Sequence, residues 1–269
     1  MSDAFQLGPL LLPTAFLVVV ASAAAALLVG RLLDRSPGKE AESALWTGLL
    51  VGAVVARLAF VFEYRALYFG SPLSILDIRD GGWNAPAGLA AFLIFGIARM
   101  RRQPEWARPI RWGMGAGTVV FMLGLGALAL RPDPNVTLPE LTFRTLDGRP
   151  APLRSFAGKP TVVNLWATWC PPCIREMPLL EKAQRSRPDL NFVFLNQGED
   201  PVRVAAWLTS RRFEMANVLV DEVRQASAAF KQQGYPTTLF FDRHGRLVST
   251  RVGELSEATL AERLSRIDR

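Results

Sequence analysis

Two cysteines, Cys170 and Cys173, stand two residues apart in the segment WCPPC and are the only cysteines among 269 residues. Thiol–disulfide exchange needs one thiolate that attacks and a second thiol that resolves the mixed disulfide. A spacing of two residues lets both sulfurs meet across one turn at the start of a helix. The unpaired N–H groups and partial positive charge at a helix N-terminus lower the pKa of a thiol there. We therefore expect Cys170 to be the attacking thiol, nearer to solvent, and Cys173 to be the resolving thiol.

Three other uses of this cysteine pair have to be weighed. An inert structural disulfide would close so short a loop that it would constrain little chain entropy. Zinc usually requires four ligands, whereas the chain has no third cysteine and its one histidine, His244, lies in a turn motif far from the pair. Copper(I) accepts two thiolates. A copper(I)-binding or delivery module that uses Cys170 and Cys173 is therefore the alternative to redox chemistry, and we expect no other metal site.

The segments around the cysteines have the pattern of an α/β sheet. Continuous apolar runs predict buried strands at Thr161–Trp166, Leu190–Gly198 and Val218–Val220. Turn signals predict one hairpin at Asp147-Gly148 and a second over Thr237–Gly253, with its turn at Asp242–Gly245. Helical spacing predicts helices at Cys173–Gln184 with a kink at Pro178, at Pro201–Ser210, at Asp221–Gln233 and at Glu257–Ile267. Strands that alternate with helices predict a sheet covered on both faces.

The first half of the chain has a different composition. A bilayer core is crossed by a helix of about 20 apolar residues. Four runs have this character, namely Ala4–Gly30, Ala44–Phe62, Gly81–Ala98 and Trp112–Leu130. The first run lacks the basic start and short apolar core of a cleaved signal peptide, so we expect it to be retained. The one charge inside these runs, Arg57, either snorkels to the interface or has a function.

The loop charges predict the orientation of these spans. Basic residues concentrate in the first and third connections, at Arg31, Arg35, Lys39, Arg99, Arg101, Arg102, Arg108 and Arg111, whereas the second connection has only Arg65 and Arg79. The positive-inside rule places the richer connections in the cytoplasm. The N-terminus and everything after Arg131 then lie outside. The formal net charge of +7 contains no dense basic tract interleaved with aromatic residues, so nucleic acid is not an expected partner.

Part of this membrane half resembles a known enzyme family. The string GAVVARLAFVFEYRALYFGSPLSILDIRDGGWNAPAGL, Gly52 to Leu89, is similar to the bacterial prolipoprotein diacylglyceryl transferases, with Arg57, Gly81 and Gly82 matching their pattern. Where that family has a histidine, this chain reads Asn84-Ala85-Pro86. A histidine for acid–base catalysis is therefore missing, and the region is interpreted as a truncated relative that serves as a membrane anchor.

The second half resembles the thioredoxin fold and, within it, the TlpA-like group of membrane-tethered thiol–disulfide oxidoreductases. The run from Gly158 to Cys173, the R-x-E-x-P that follows from Arg175 to Pro178, and Pro236-Thr237 before the second hairpin occur in the order of that group. The resemblance covers residues 138–269. A proline-rich segment before it, RPDPNVTLPEL, predicts a semi-rigid spacer.

The resemblance implies roles for residues beside the cysteines. Pro171 and Pro172 shape the redox potential, and Trp169 offers a contact surface to partner proteins. Tyr235-Pro236 corresponds to the cis-proline loop, which faces the cysteines and presents backbone groups to the substrate. Glu176 is a candidate proton relay, or else a first-turn glutamate favoured by the helix dipole. Thioredoxins carry a buried aspartate six residues before the first cysteine, where this chain has Asn164.

Together these observations predict a four-helix transmembrane domain at residues 1–131, a linker at 132–140 and a TlpA-type thioredoxin-like domain at 141–269. The expected function is extracytoplasmic disulfide reduction at the bacterial inner membrane, with the second domain in the periplasm or on the outer face. No cofactor is expected beyond the redox-active disulfide Cys170–Cys173. The expected partners are disulfide-containing extracytoplasmic proteins, a membrane thiol donor that re-reduces the pair, and membrane lipid.

Overall fold

The computed structural model of the protein describes residues 4–7, 10–35, 38–68, 75–77, 80–130, 136–232 and 234–267. The chain divides into two compact units. One unit comprises residues 12–131, and the other comprises residues 132–269 together with residues 1–11. Each unit is described separately below.

The first unit is helical. It contains α1 (Thr14–Leu33), α2 (Glu40–Glu63), the short α3 (Arg65–Tyr68), α4 (Ala85–Arg102) and α5 (Ala107–Ala129). A two-stranded sheet of β1 (Ala4–Leu7) and β2 (Leu10–Pro13) precedes these helices in the chain. A 3₁₀ turn at Pro104–Trp106 leads into α5. Among the residues that the structure describes, three segments are long and apolar enough to cross a membrane: α1, α2 and the stretch Pro104–Ala129. The fourth long helix, α4, has 18 residues and ends with three arginines.

The predicted start of the first span at Ala4 is wrong, because α1 begins at Thr14. Leu12 precedes a proline, and the ring of Pro13 disfavours helical geometry at the residue before it. Proline is readily accepted at the entrance of a helix but not within one. The apolar run therefore divides at this point into a short strand and a helix of 20 residues.

Close backbone approach joins α2 to α4. A Cβ at Gly52 would lie 2.9 Å from the carbonyl oxygen of Gly88, and a Cβ at Gly88 would lie 2.8 Å from the Cβ of Ala56. In lipid, where apolar side chains gain little by leaving the solvent, such small-residue contacts hold helices together by van der Waals packing. These glycines are therefore packing positions.

The second unit is built on one seven-stranded sheet with the strand order β4-β3-β7-β6-β5-β8-β9. Its strands are β3 (Thr142–Thr145), β4 (Pro150–Pro152), β5 (Thr161–Trp166), β6 (Asn191–Gln197), β7 (Val218–Asp221), β8 (Thr237–Phe241) and β9 (Leu247–Val252). Strands β5, β6 and β7 run parallel, whereas β3, β8 and β9 join antiparallel. Every residue of the central strand β5 is buried, as expected for a parallel strand covered on both faces.

Four helices complete this unit: α6 (Pro171–Ser186), α7 (Pro201–Arg211), α8 (Gln225–Ala229) and α9 (Glu257–Ile267). Alternate residues of β5 enter two cores. Val162 and Trp166 pack with residues of α6, α7 and α9, whereas Val163 and Leu165 pack with residues of α8 and of the segment before β5. The period-2 alternation of a strand produces this separation. The predicted α/β sheet with both faces covered is confirmed.

One predicted helix, Asp221–Gln233, is wrong in extent, since only Gln225–Ala229 is helical and Gln233 lies outside the described residues. Asp221 ends β7 instead, and its carboxylate accepts hydrogen bonds from the N–H groups of Gln225 and Ala226. Arg224 and Lys231 have left-handed backbone geometry, with φ of 58° and 53°. A right-handed helix cannot continue through such residues.

The predicted linker 132–140 is not a free spacer over its second half. Leu138 is buried among the residues that pack with Val163 and Leu165, and its N–H donates to the carbonyl of Gly245. Thr137 forms a β-bridge with Arg246. Val136 packs against the same core. Two apolar side chains in a polar, proline-rich segment are a weak signal from sequence, but their burial helps to hold the segment against the sheet. Residues 132–135 lie outside the described residues.

Candidate active site

The cysteine pair occupies the start of α6, directly after β5. Cys170 and Cys173 are joined by a disulfide, with their Cα atoms 5.3 Å apart. Cys170 is the N-cap residue of the helix, and its Sγ accepts a hydrogen bond from the N–H of Cys173 at 3.4 Å. Pro171 and Pro172 fill the first two helical positions and have no N–H. The N–H of Cys173 is therefore the first backbone donor of α6, and it points at the Cys170 sulfur.

Both sulfurs lie under the surface, since Cys170 is 4% exposed and Cys173 is 0% exposed. Cys170 is thus the more accessible of the two by a small margin. Pro171 is exposed beside it, and Pro172 is half-buried. A partner sulfur can approach Cys170 from the side of the first helical turn.

An aromatic pair borders the cysteines. Trp169 is 53% exposed, and its ring meets the ring of Tyr235 edge-on, with centroids 6.1 Å apart. The Tyr235–Pro236 peptide bond is cis, and Pro236 is buried. Because β8 pairs with β5 and places Thr237 opposite Leu165, the Tyr235–Pro236 loop lies beside the end of β5 that leads into Trp169. The structure therefore brings together the site residues expected on both sides of the cysteines.

Glu176 lies one turn beyond Cys173 on α6 and is 1% exposed. One carboxylate oxygen accepts from the side-chain amide of Asn164 at 2.8 Å, and the other accepts from the N–H of Leu255 at 3.0 Å. Burial raises the pKa of Glu176 from its ordinary value of 4.5 to about 8, although both hydrogen bonds oppose that rise. The Asn164 amide also donates to the hydroxyl of Thr238. Asn164 therefore links the central strand to a buried carboxyl group that titrates near neutral pH.

A second buried carboxylate, Glu199, was missed by sequence reasoning. One of its oxygens accepts from the Thr168 hydroxyl at 2.5 Å, and the other accepts from the Thr168 N–H at 2.7 Å and from the Asn196 amide at 2.8 Å. Thr168 lies two residues before Cys170, so Glu199 anchors the turn that delivers the cysteines. The signal that predicts this contact is the polar residues that directly follow two apolar strands. Carboxyl ends of neighbouring parallel strands meet at one edge of a sheet.

A salt bridge closes the other side of α6. The guanidinium of Arg175 makes a two-pronged contact with the carboxylate of Glu254, with nitrogen–oxygen distances of 2.6 and 3.0 Å. Glu254 lies next to Leu255, whose N–H reaches Glu176. This pair neutralises the cation nearest to the cysteines along α6.

Arg57, the one charge within the apolar run of α2, is neither a snorkelling residue nor an open ligand site. It is 6% exposed and forms an ion pair with Asp80 at 2.9 Å. Its remaining N–H groups donate to the carbonyls of Ile75, Asp77 and Gly82. The guanidinium therefore binds the described residues 75, 77, 80 and 82 of the segment that follows α3. The Gly81-Gly82 segment is held in this way through the carbonyl of Gly82.

The part of the chain that the structure describes contains no group of three or more His, Cys, Asp or Glu side chains placed to hold a metal ion.

The soluble half matches known proteins. Residues 133–264 match the Redoxin family model. A thioredoxin-like protein of Bacillus subtilis, YneN, is 31% identical over 132 residues, which cover 47% of this chain and 75% of the relative. The thiol-disulfide oxidoreductase ResA of Geobacillus thermodenitrificans is 27% identical over 164 residues, which cover 56% of this chain and 93% of the relative.

A solved structure of a thioredoxin-family thiol:disulfide interchange protein from Chlorobium tepidum is 25% identical, with a TM-score of 0.45 over 51% of this chain and 98% of that one. The disulfide at the start of α6 and the cis Tyr235–Pro236 bond beside it both lie within residues 133–264, which match the Redoxin family model. On these grounds the chain belongs to the thioredoxin-like family and is a thiol–disulfide oxidoreductase.

Proposed function

We propose that this protein is a membrane-tethered, extracytoplasmic reductant of protein disulfides. The thiolate of Cys170 attacks one sulfur of a substrate disulfide, forms a mixed disulfide and releases the other substrate sulfur as a thiolate. The thiolate of Cys173 then attacks the Cys170 sulfur and releases the second substrate thiolate, which takes up a proton. Two electrons pass to the substrate, and the Cys170–Cys173 disulfide remains on the protein.

The observation that carries this proposal is the N–H of Cys173 directed at the Cys170 sulfur. A negative charge on that sulfur gains from this donor and from the positive end of α6. No such donor faces the sulfur from Pro171 or Pro172, because neither has an N–H. The arrangement therefore favours a thiolate at Cys170 over one at Cys173.

Glu176 has the properties of a proton acceptor for the resolving step. Glu176 follows Cys173 by three residues, so the two side chains share one face of α6. The pKa of Glu176, about 8, is close to the ordinary pKa of a thiol. The Oδ1 atom of Asn164 is buried without a hydrogen-bond partner among the described residues. If the Asn164 amide turns over, this oxygen accepts the proton of a protonated Glu176. The Asn164 amide can therefore form a hydrogen bond with either the protonated or the ionised form of the buried Glu176.

Substrate contacts would come from the rim around Cys170. Trp169 presents an exposed aromatic face, and Tyr235 supports it from the other side. Pro171 is exposed and Pro172 is half-buried in the first turn of α6, and Pro236 supplies the backbone that an extended substrate segment would meet. Aromatic rings that are half exposed and packed on one another bind partners at little entropic cost.

The first unit serves as the tether in this proposal. Three apolar segments with spanning length support membrane insertion. We propose four crossings in total, with α4 as the additional one, because its three arginines end it on the side where the positive-inside rule places basic residues. The thioredoxin-like unit then faces the oxidising side, where a membrane thiol donor has to re-reduce it.

The contacts of Arg57 argue against lipid transfer by the first unit. An arginine that binds a lipid headgroup would need N–H groups available to it. The N–H groups of Arg57 instead donate to the carboxylate of Asp80 and to three backbone carbonyls. Copper(I) delivery, the alternative for the second unit, predicts stoichiometric metal binding by the reduced protein that is lost when either cysteine is replaced.

Trapping in living cells tests the proposal. A Cys173→Ala chain cannot resolve its mixed disulfide, so extracytoplasmic proteins should accumulate on Cys170 and be released by a reductant. The Cys170→Ala/Cys173→Ala chain, expressed equally, is the control and should trap none. Equal recovery of proteins from both chains, or a reduced wild-type protein that reduces no disulfide, would contradict a reductase.

A further inference from the structure

A pocket of about 590 Å³ opens beside the cis-proline loop. It is lined by Arg224, Ser227, Ala228, Lys231, Gln232 and Tyr235. Two of these six side chains are cationic and none is acidic. The pocket therefore presents positive charge alone.

The pocket shares Tyr235 with the active site. The ring of Tyr235 contacts Trp169, the residue directly before Cys170. The guanidinium of Arg224 lies over Gly198, where a Cβ would collide with it. Gly198 follows β6, the parallel neighbour of β5, so Arg224 lies at the same edge of the sheet as the cysteines. The pocket and the cysteines therefore lie at one edge of the sheet and have Tyr235 in common.

The side chains of Arg224 and Lys231 are the hydrogen-bond donors of the pocket that remain available to a ligand. Ser227 donates its one hydroxyl proton to Gln197, so the Tyr235 hydroxyl, 2.8 Å from it, donates to Ser227. The amide of Gln232 donates to the carbonyl of Phe230. By contrast, within the described ranges neither Arg224 nor Lys231 has a hydrogen-bonded or ion-paired side-chain partner. Recognition of a ligand here would therefore depend on these two charges.

Other cations around the active site already have acidic partners. Arg175 pairs with Glu254, and Arg203 lies 3.5 Å from Glu199. Arg224 and Lys231 also occupy left-handed backbone positions at the two ends of α8, with φ of 58° and 53°. Asparagine and glycine adopt that geometry at lower cost than arginine or lysine. The two exposed cations thus lie on either side of α8, beside the site.

We propose that this pocket binds an acidic side chain, aspartate or glutamate, that lies near the attacked cysteine in the substrate protein. The inference rests on the proposed function, since it names a substrate class for the same site. Two exposed cations at one pocket favour an anionic partner and steer its approach, and salt weakens the effect.

The test uses the reduced full-length chain in detergent and disulfide-containing peptides that differ only in aspartate or asparagine near the cysteine. We expect the aspartate peptide to have a kcat/KM about fivefold higher at low salt, the size expected from exposed ion pairs. The preference should fall as salt rises. Equal rates for both peptides at low salt would overturn the inference.

Substitution identifies the residues. Arg224→Asn combined with Lys231→Asn should abolish the preference and leave the asparagine peptide at its wild-type rate. Arg212→Asn is the matched control, because Arg212 is exposed and also left-handed, with φ of 58°, but does not line the pocket. Preference that survives in the double variant would place the recognition elsewhere and overturn the inference.

A binding measurement separates this inference from the proposed function. Peptides with serine in place of cysteine bind without chemistry, and fluorescence anisotropy compares their aspartate and asparagine forms. Discrimination in binding without any reduction would support the pocket and contradict the reductase. Reduction without discrimination in binding or rate would support the reductase and contradict the pocket.

Discussion

Glu176 is buried in a position where its charged form is costly. Its pKa of about 8 lies above its ordinary 4.5, so the folded chain keeps a proton that the unfolded chain gives up across that interval. The folded state therefore loses stability as pH rises from 4.5 to about 8, and the loss is complete above that. The same carboxyl group gains a proton-accepting capacity in the range where thiols react.

Replacement of Glu176 by glutamine should remove this pH dependence. Glu176→Gln keeps the size and an oxygen acceptor but cannot ionise. The melting temperature of the variant minus that of the wild type should therefore increase from pH 5 to pH 9. Calorimetry of the oxidised full-length chain in detergent measures the difference. Glu222→Gln, an exposed acid on the turn before α8, is the control and should show no such trend. A constant difference between Glu176→Gln and wild type at all pH values would contradict the raised pKa.

Glu199 holds the turn before the cysteines by three hydrogen bonds. Glu199→Gln replaces one acceptor oxygen by a donor. If the amide oxygen keeps the Thr168 N–H and the Asn196 amide, the Thr168 hydroxyl loses its acceptor. A buried donor left unsatisfied costs about 1–3 kcal/mol. We expect a lower melting temperature and slower alkylation of Cys170 in the reduced chain, both measured against Glu222→Gln. An unchanged alkylation rate would show that the turn does not depend on this carboxylate.

At the scale of elements, the first turns of helices position the site residues. Helix α6 begins with two prolines, which suit the first turn because its N–H groups have no helical partners. It continues through Pro178 to Ser186. Helix α7 begins at a more usual cap, since the carboxylate of Asp200 accepts from the N–H groups of Val202 and Arg203. The two helices follow the parallel strands β5 and β6 and so begin at the same edge of the sheet.

The cap of α7 is a measurable contribution. Asp200→Ala should lower the free energy of unfolding by about 1 kcal/mol, the usual cost of losing an N-cap acceptor. Asp200→Asn retains an oxygen acceptor and should lose only a fraction of that. Denaturant unfolding of the three proteins measures the order. Equal loss in both variants would assign the effect to charge rather than to capping.

At the scale of the molecule, the chain combines a helical unit of apolar surface with an α/β unit that carries the chemistry. Leu28, Leu50, Leu58, Ile94, Val119 and Leu123 are each more than half exposed on the long helices of the first unit. In water such a surface would be unfavourable, whereas in a bilayer it is the expected outer face. The α/β unit shows the opposite distribution, with its apolar side chains in two cores on either side of one sheet.

Reporter fusions test the proposed topology. A phosphatase that folds only outside the cytoplasm should be active when fused after residue 267 and inactive when fused in the connection before α2. The loop charges and an even number of crossings both require this result. A green fluorescent protein that matures in the cytoplasm should give the reverse pattern. An inactive phosphatase at the C-terminal position would contradict an extracytoplasmic reductase.

The local sequence pattern was sufficient to predict an element where the burial or spacing of its residues fits only one type of secondary structure. The strand Thr161–Trp166 and the helix Glu257–Ile267 were predicted with their observed bounds, because continuous apolar runs and helical periodicity are properties of neighbouring residues. The cysteine motif likewise located the redox pair, because the spacing of Cys170 and Cys173 is also a property of neighbouring residues. The helix predicted at Asp221–Gln233 was wrong because strand pairing of Asp221 and two left-handed residues override local periodicity.

By itself the sequence determined the fold class, the position of the two thiols and the apolar character of the first half. These depend on the order of residue types along the chain. Only the tertiary structure decided that Glu199 holds Thr168, that Arg57 is bound to Asp80, and that Arg224 and Lys231 open into one pocket beside Tyr235. Such contacts join residues far apart in the chain, and their partners are chosen by sheet register and helix packing, which local pattern does not encode.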